Sequence, residues 1–145
     1  MDNPFKLLLR VRYGECDGQQ VVFNARYGDY VDVAATEFYR ALFGSYQSLL
    51  DRGLDSQVVR MTIDWRSPAR FDDVLELLVR TTRLGTTSYT LGVDIVGRDD
   101  GRAIAQAEVT YVMVQTADYS KTPIPEDIRA LLHQGAPGVR VDQAG

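Results

Sequence analysis

Alternation of apolar and polar residues predicts five β-strands in this chain. In residues 5–13 the apolar side chains occupy every second position, which is the period of a half-buried strand. The same alternation predicts strands over residues 59–65, 75–82, 89–95 and 103–113. The last four strands are joined by short connections, among them a hairpin turn at Asp99-Asp100-Gly101, where the glycine supplies a positive φ. We therefore expect one antiparallel sheet.

A helical pattern follows the first strand. Its apolar residues recur at helical spacing, at Tyr27, Tyr30, Val31, Ala34, Phe38 and Leu42. Asn24 is a suitable N-cap, and Gly44 is expected to end the helix. Because further apolar residues widen this surface, we expect the helix to be buried on more than one side, as the core that the sheet wraps. One long helix against an antiparallel sheet is an α+β architecture.

The rest of the chain gives weaker patterns. Residues 45–56 are mixed and are expected to form a connecting loop, with room for one helical turn. Residues 126–133 predict a short helix, and about residues 132–145 are expected to be a frayed tail. With 145 residues, the chain is expected to be a single domain, residues 1–145.

Composition and charge narrow the classes of function. The net charge is −4 without a basic cluster, which argues against a nucleic-acid partner. No apolar run approaches the ~18 residues of a membrane span, and no secretory signal is recognised. The single cysteine, Cys16, suits the reducing cytoplasm. The only histidine, His133, lies in the polar tail, which argues against a His-containing triad or a His-built metal site, and we expect no metal or other cofactor.

Asp17 is the leading candidate for chemistry. It lies in a glycine-flanked turn shortly before the helix, where a carboxylate can reach the positive end of a helix dipole. An ionised aspartate can attack a thioester carbonyl or activate a water molecule, and free N–H groups at a helix start can receive the developing oxyanion. The same position also fits a carboxylate that only closes an Asx turn. The spacing alone leaves both roles open.

Other side chains allow both structural and functional interpretations. Asp32 lies on a polar stripe with Thr36 and Arg40, which suits a network of neighbours one turn apart. Glu37 has a more apolar setting and is a second candidate acid. Cys16 has no histidine nearby and is interpreted as a packing residue. Five arginines could meet phosphate groups or could lie on solvated strand faces: Arg60, Arg66, Arg70, Arg80 and Arg83.

A family resemblance rests on four segments in order. Gly14-Glu15-Cys16-Asp17, then Val21-Val22-Phe23 and Tyr27, resemble the opening motif of the 4-hydroxybenzoyl-CoA thioesterase family of hotdog-fold proteins. Further similarity lies in residues 64–73, 83–88 and 122–126. The resemblance extends from about residue 7 to residue 131.

The resemblance implies a hotdog fold, in which a five-stranded antiparallel sheet wraps the helix, and a homodimer or homotetramer with its active site at the subunit interface. It implies an enzyme that hydrolyses a small or medium acyl- or aroyl-CoA. It places Asp17 on the family's catalytic aspartate, and it allows Glu37 a second place because some hotdog thioesterases use a helix glutamate. It also places the pantetheine channel near Arg83, Gly85, Thr86, Thr87 and Ser88.

Three departures from the family pattern bear on the site. Glu15 stands where the family often has aspartate, Gln20 where it usually has glycine, and Asn24 where many members have histidine or tyrosine. Asn24 can cap the helix or polarise a substrate carbonyl, but it cannot transfer protons. Phe23, Tyr27 and Tyr30 are candidates for the acyl pocket and also for core packing. An acyl carrier protein-directed thioesterase of a polyketide pathway and a non-catalytic acyl-thioester binding protein remain alternatives.

Overall fold

The computed structural model of the chain describes residues 3–145, and a long helix lies at its centre. The helices are α1 (Arg26–Phe43), α2 (Gln47–Leu50) and α3 (Glu126–Gln134). The strands are β1 (Phe5–Arg10), β2 (Leu54–Trp65), β3 (Val74–Leu84), β4 (Ser88–Gly97), β5 (Ala103–Gln115) and β6 (Arg140–Gln143). A short 3-10 turn, Tyr13–Glu15, follows β1.

Helix α1 is the core element that its pattern predicts. The six residues at helical spacing are buried, and Ala35 and Tyr39 are buried beside them. Phe38 is fully buried and meets the ring of Phe5 from β1 edge-on at 5.6 Å. The helix ends at Gly44, which has a φ of 80° and donates its N–H to the Arg40 carbonyl at 2.9 Å. The predicted burial and the predicted end of α1 are therefore confirmed.

The strands form one sheet in the order β2-β5-β4-β3-β1-β6. All neighbouring strands are antiparallel except β1 and β6, which are parallel. The α+β class and the hotdog arrangement of one long helix against a largely antiparallel sheet are confirmed. The number of strands differs from the prediction, because the sheet has six strands rather than five.

The sixth strand lies in the segment that we expected to be frayed. Strand β6 pairs with β1 from Lys6 opposite Arg140 to Leu9 opposite Gln143, and the side chains of Ala136 and Ala144 are buried. The expectation of a frayed tail is therefore wrong. Only one residue of β6, Val141, is a large apolar residue, so the segment has no alternation from which a strand could be predicted.

Two strand boundaries also differ from the predictions. Strand β1 ends at Arg10, and Tyr13, expected on its buried face, lies in the 3-10 turn with 80% of its surface exposed. Strand β2 begins at Leu54, within the segment predicted to be a loop. Residues 55–57, after Leu54, are polar. The hydroxyl of Tyr46 accepts a hydrogen bond from the Ser56 N–H at 2.9 Å, a contact that the alternation of residues along β2 cannot reveal.

Candidate functional site

Asp17 lies at the tip of a small hairpin formed by residues 15–23. The Asp17 N–H donates to the Val21 carbonyl at 2.9 Å, and the Phe23 N–H donates to the Glu15 carbonyl at 2.9 Å. The return arm is joined to the segment after β2, because the Val22 N–H donates to the Ala69 carbonyl at 2.8 Å. The hairpin is thus held by backbone hydrogen bonds on both sides, and α1 begins shortly after it.

The turn of this hairpin uses a strained residue. Gln20 has a φ of 65°, and its N–H donates to the Asp17 carbonyl at 2.9 Å. A side-chain-bearing residue in this left-handed region costs about 1–2 kcal/mol, a cost that glycine avoids. The turn therefore forms even though Gln20 replaces the usual glycine. The glutamine side chain lines the cavity at Asp17.

The Asp17 side chain forms an Asx turn and also borders a cavity. Its Oδ1 accepts a hydrogen bond from the Gln19 N–H at 2.8 Å, so the Asx turn is present. The half-buried carboxylate also lines a cavity of about 320 Å³ with Tyr13, Cys16, Gln20 and Phe71. Within residues 3–145 no hydrogen bond to Oδ2 is found. The turn thus orients the carboxylate and leaves one oxygen for a ligand.

Two aromatic rings form the apolar wall of the cavity. The rings of Tyr13 and Phe71 meet perpendicularly with centroids 5.7 Å apart, and both side chains are at least half exposed. Neither residue was singled out from the sequence, because their contact depends on how the 3-10 turn meets the loop between β2 and β3. Cys16 also faces the cavity, and burial, followed by the charges of Glu15 and Asp17, raises the pKa of its thiol.

The start of α1 offers backbone donors. The N-cap is Ala25 rather than Asn24, and no side chain caps the helix, so the predicted capping role of Asn24 is wrong. The exposed Asn24 precedes the cap, and its carbonyl accepts a long hydrogen bond from the Tyr27 N–H at 3.4 Å. The N–H groups of Asn24 and Ala25 have no acceptor within the part of the chain that the structure describes, residues 3–145.

The three aromatic residues predicted for the acyl pocket have different environments in the fold. Tyr27 and Tyr30 are buried in the core, and their hydroxyls are occupied by the Ala69 N–H at 3.2 Å and by Glu15 at 2.8 Å. Phe23 is half exposed, and none of the three lines the cavity at Asp17. Tyr30 lines a second cavity of about 200 Å³ together with Glu15 and Arg12.

Glu15 is a buried carboxylate beside the hairpin. Its Oε1 accepts from the Arg12 N–H and from the Tyr30 hydroxyl, both at 2.8 Å. Its Oε2 accepts from the Arg12 guanidinium at 2.7 and 3.0 Å. Burial acts to raise the pKa of Glu15, but the hydrogen bonds from Arg12 and Tyr30 outweigh it and hold the pKa below its ordinary value.

The remaining candidate acids lie away from the cavity. Glu37 pairs with Arg40 one turn along α1 and accepts a hydrogen bond from Gln143 of β6 at 3.3 Å. Asp32 is exposed, and Thr36 donates to its backbone carbonyl at 2.9 Å rather than to its carboxylate. The structure therefore brings neither carboxylate to Asp17.

The segment predicted to meet coenzyme A lies at the other end of the sheet. Gly85 to Ser88 form the tight turn between β3 and β4, closed by a 2.7 Å hydrogen bond from the Gly85 N–H to the Ser88 carbonyl. Arg129 of α3 donates to the Gly85 carbonyl at 2.6 Å. Ser88 pairs with Val112, which pairs with Gln57 near the start of β2. The Asp17 hairpin instead pairs with Arg70, which follows the end of β2. Within one chain the two regions are not in contact.

Two further observations concern the helices and the possible metal ligands. None of the helices in residues 3–145 has the length and apolar character needed to span a membrane. Within the same residues, no group of three or more His, Cys, Asp or Glu side chains is arranged to hold a metal ion.

Comparisons with known proteins identify the family of the chain. Residues 19–104 match the model of the thioesterase superfamily, a match that begins just after Asp17. The chain is 31% identical over 130 residues to the acyl-CoA thioester hydrolase YbgC of Escherichia coli, covering 90% of this chain and 96% of that protein. It is 25% identical over 126 residues to the long-chain acyl-CoA thioesterase FadM of Escherichia coli, covering 87% and 95% of the two chains. The crystal structure of a thioesterase superfamily protein from a Jannaschia species has a TM-score of 0.83 and 26% identity, covering 95% of this chain and 96% of that one.

Proposed function

Because the chain belongs to the thioesterase superfamily, we propose that it hydrolyses a small or medium acyl- or aroyl-CoA and that Asp17 is its catalytic residue. The observation that carries the proposal is the half-buried Asp17 carboxylate on the wall of a cavity with two aromatic side chains. The motif around Asp17 supports a finer assignment to the 4-hydroxybenzoyl-CoA thioesterase branch of the superfamily, which is also part of the proposal.

The chemistry follows from the groups around the carboxylate. In one route Asp17 attacks the thioester carbonyl carbon, the C–S bond breaks, coenzyme A leaves as the thiolate, and water then hydrolyses the acyl-aspartyl anhydride to the free acid. In the other route Asp17 takes a proton from a water molecule as that water attacks the same carbon, and the thiolate leaves as before. Both routes release one carboxylic acid and one thiol for each water consumed.

The oxyanion that forms in either route needs preorganised donors. The N–H groups of Asn24 and Ala25 lie at the positive end of α1 and are the candidates for this role. The Asn24 side chain caps no helix and is exposed, so it can also donate to the carbonyl oxygen. Tyr13 and Phe71 are the proposed contacts for the acyl group, in place of Phe23, Tyr27 and Tyr30.

We also propose a homodimer or homotetramer in which the partner completes the site. If β2 paired antiparallel with β2 of a second copy, the two strands would run in opposite directions. The Leu54 end of one strand would then lie beside the Trp65 end of the other. The turn at residues 85–88 of one copy would then lie at the same end of the joined sheet as Asp17 of the other. This arrangement would let Arg83 and the turn meet the coenzyme A portion of the substrate. The single Cys16 supports a cytoplasmic location.

Steady-state hydrolysis by the Asp17→Asn variant tests the proposal. The substrates are a panel of acyl-CoAs of increasing size, 4-hydroxybenzoyl-CoA and acyl carrier protein thioesters. Because the amide can neither attack the carbonyl effectively nor accept a proton from water, we expect kcat to fall by about 10²–10⁴-fold on the preferred substrate. Asp29→Asn is the matched control, since Asp29 is an exposed helix carboxylate that pairs with Arg26.

Three results would contradict the proposal in different ways. Full activity of Asp17→Asn together with loss of activity in Glu37→Gln would move the catalytic role to the helix glutamate. Binding of acyl-CoA by the wild-type protein without turnover of any member of the panel would indicate a binding protein. Turnover confined to carrier-protein thioesters would assign the enzyme to that substrate class instead.

A further inference from the structure

The buried carboxylate of Glu15 lies two residues before Asp17 and takes no part in the mechanism above. Only 8% of Glu15 is exposed. Its two oxygens receive four hydrogen bonds, three from Arg12 and one from the Tyr30 hydroxyl. A glutamate is rarely buried unless it is paired, so the arrangement calls for a reason beyond filling space.

The contacts of Glu15 join three segments of the chain. Its carboxylate holds Arg12, in the segment that leaves β1, and its carbonyl accepts from the Phe23 N–H on the return arm of the hairpin. The Tyr30 hydroxyl, on the second turn of α1, donates to the same carboxylate at 2.8 Å. Glu15 therefore ties the base of the Asp17 hairpin to the helix whose first N–H groups point out of its N-terminus.

We propose that Glu15, acting through Tyr30, is a positioning residue that sets where the Asp17 hairpin stands relative to the start of α1. The inference rests on the proposed function of Asp17. A thioester carbonyl must be within reach of the Asp17 carboxylate while its oxygen meets N–H groups of the helix start, so the two parts of the site must keep a fixed separation. A displacement of about 1 Å between such groups costs on the order of 10²-fold in rate.

The geometry of the contact favours positioning over simple packing. An apolar pair of the same volume would fill the space between the hairpin and the helix, but it would not fix the orientation of one relative to the other. The Tyr30 hydroxyl instead makes a directional bond to a charged acceptor, which fixes both a distance and an angle. The acceptor is itself held by Arg12 on its other oxygen, so the hydroxyl meets a carboxylate that cannot rotate freely.

The test is the kinetics of Tyr30→Phe, which deletes only the hydroxyl link and leaves the pair of Glu15 with Arg12. We expect kcat to fall about tenfold while KM changes less than twofold, because the loss lies in orientation rather than in substrate contacts. Tyr89→Phe is the matched control. It deletes another buried hydroxyl, which donates to Ser56 at 2.7 Å away from the Asp17 cavity, and should lower the melting temperature without lowering kcat.

A double variant separates positioning from general destabilisation. In the Asp17→Asn background we expect Tyr30→Phe to leave the residual rate unchanged within twofold, since no carboxylate remains to be positioned. Glu15→Gln, the second variant, keeps the size of the side chain and loses its charge, and we expect its kcat to fall at least as far as that of Tyr30→Phe. A kcat for Tyr30→Phe within twofold of wild type, or an equal loss with and without Asp17, would overturn the inference. Full activity of Asp17→Asn would instead refute the proposed function.

Discussion

Gln20 illustrates how a single backbone conformation shapes the candidate site. Its positive φ closes the turn on Asp17, and a residue other than glycine holds that conformation at a cost. The backbone hydrogen bonds of residues 15–23 maintain the turn in spite of that cost. The glutamine gains a place on the cavity wall beside the carboxylate, where glycine would leave open space. This departure therefore concerns the shape and polarity of the cavity more than the formation of the turn.

Glu15 gives a prediction about pH and stability. Because its pKa in the folded protein is held below the ordinary value of 4.5, the folded state prefers the charged carboxylate. The stabilisation is complete above the unfolded pKa and is lost as the pH falls through the folded pKa. We therefore expect Glu15→Gln to lower the free energy of unfolding most at pH 7 and progressively less as the pH falls from 5 to 3. Urea denaturation of both proteins across this range measures the difference.

The exposed ion pair of Arg26 and Asp29 provides the comparison for that experiment. Both side chains are about half exposed or more, so Asp29→Asn should change stability by less than about 1 kcal/mol at any of these pH values. A loss in Glu15→Gln that stayed constant from pH 7 to pH 3 would show that the effect comes from packing and not from the ionised group.

Single residues also show what local sequence can reveal of the site. Asp17 could be named as a candidate because glycines lie near it and because it falls within the family motif. Tyr13 and Phe71 could not, since their contact forms only when a turn near the start of the chain packs against the loop after β2. Glu15 could be recognised as a departure from the family, but its bond to Tyr30 crosses from the hairpin to α1 and has no sequence signature.

At the scale of elements, the helix, the inner strands and the second half of β2 were predictable, whereas β6 and the first half of β2 were not. Strands β3, β4 and β5 have one face against α1, so apolar residues alternate along them. Strand β6 and the first residues of β2 lie on the two edges of the sheet. An edge strand forms backbone hydrogen bonds with a neighbouring strand on one side only and faces solvent on the other, so polar residues are common in it. These segments form strands because they pair with strands that are distant in the chain, β1 and β5. The periodicity of the local sequence does not reveal such pairing.

Strand β6 gives the prediction at this scale. Its deletion, by ending the chain after Pro137, would remove the pairing along β1, the buried Ala144 and the 3.0 Å hydrogen bond from the Arg10 side chain to the Ala144 carbonyl. At roughly 0.5–1.5 kcal/mol for each hydrogen bond lost, we expect the free energy of unfolding to fall by about 2 kcal/mol or more. Urea denaturation provides the measurement.

Removal of Gly145 alone is the control, because this residue is exposed and lies beyond β6. A shortened chain with the same unfolding midpoint as the full chain would mean that the pairing of β6 with β1 contributes no stability.

At the scale of the whole molecule, the exposed edge of β2 is the feature that a single copy leaves unexplained. Strand β2 has twelve residues, and its apolar side chains include Val59, Met61 and Trp65, exposed by 58%, 38% and 50%. A long apolar edge strand invites pairing with another strand, and natural proteins usually protect such an edge. Pairing with a second copy would cover this edge and would also bring together the two halves of the proposed site.

The corresponding prediction is that Val59→Lys combined with Met61→Lys produces monomers. Lysine on an edge strand opposes pairing, and two copies would place these charges close together across a two-fold axis. We expect the wild-type protein to sediment as a dimer or tetramer at micromolar concentration and the double variant to sediment as a monomer. If the site is shared between copies, kcat/KM should fall at least tenfold in the variant, because the partner's contribution to substrate binding is lost.

Val139→Lys is the matched control, because it introduces the same charge at another exposed apolar residue, outside β2. It should leave both the assembly state and the activity unchanged. Wild-type protein that sedimented as a monomer and still hydrolysed acyl-CoA would separate catalysis from assembly. In that case the turn at residues 85–88 could not be part of the same site as Asp17, since within one chain the turn and Asp17 lie at opposite ends of the sheet. The coenzyme A contacts would then have to come from arginines nearer the hairpin, of which Arg70, opposite Val21, is the first to test.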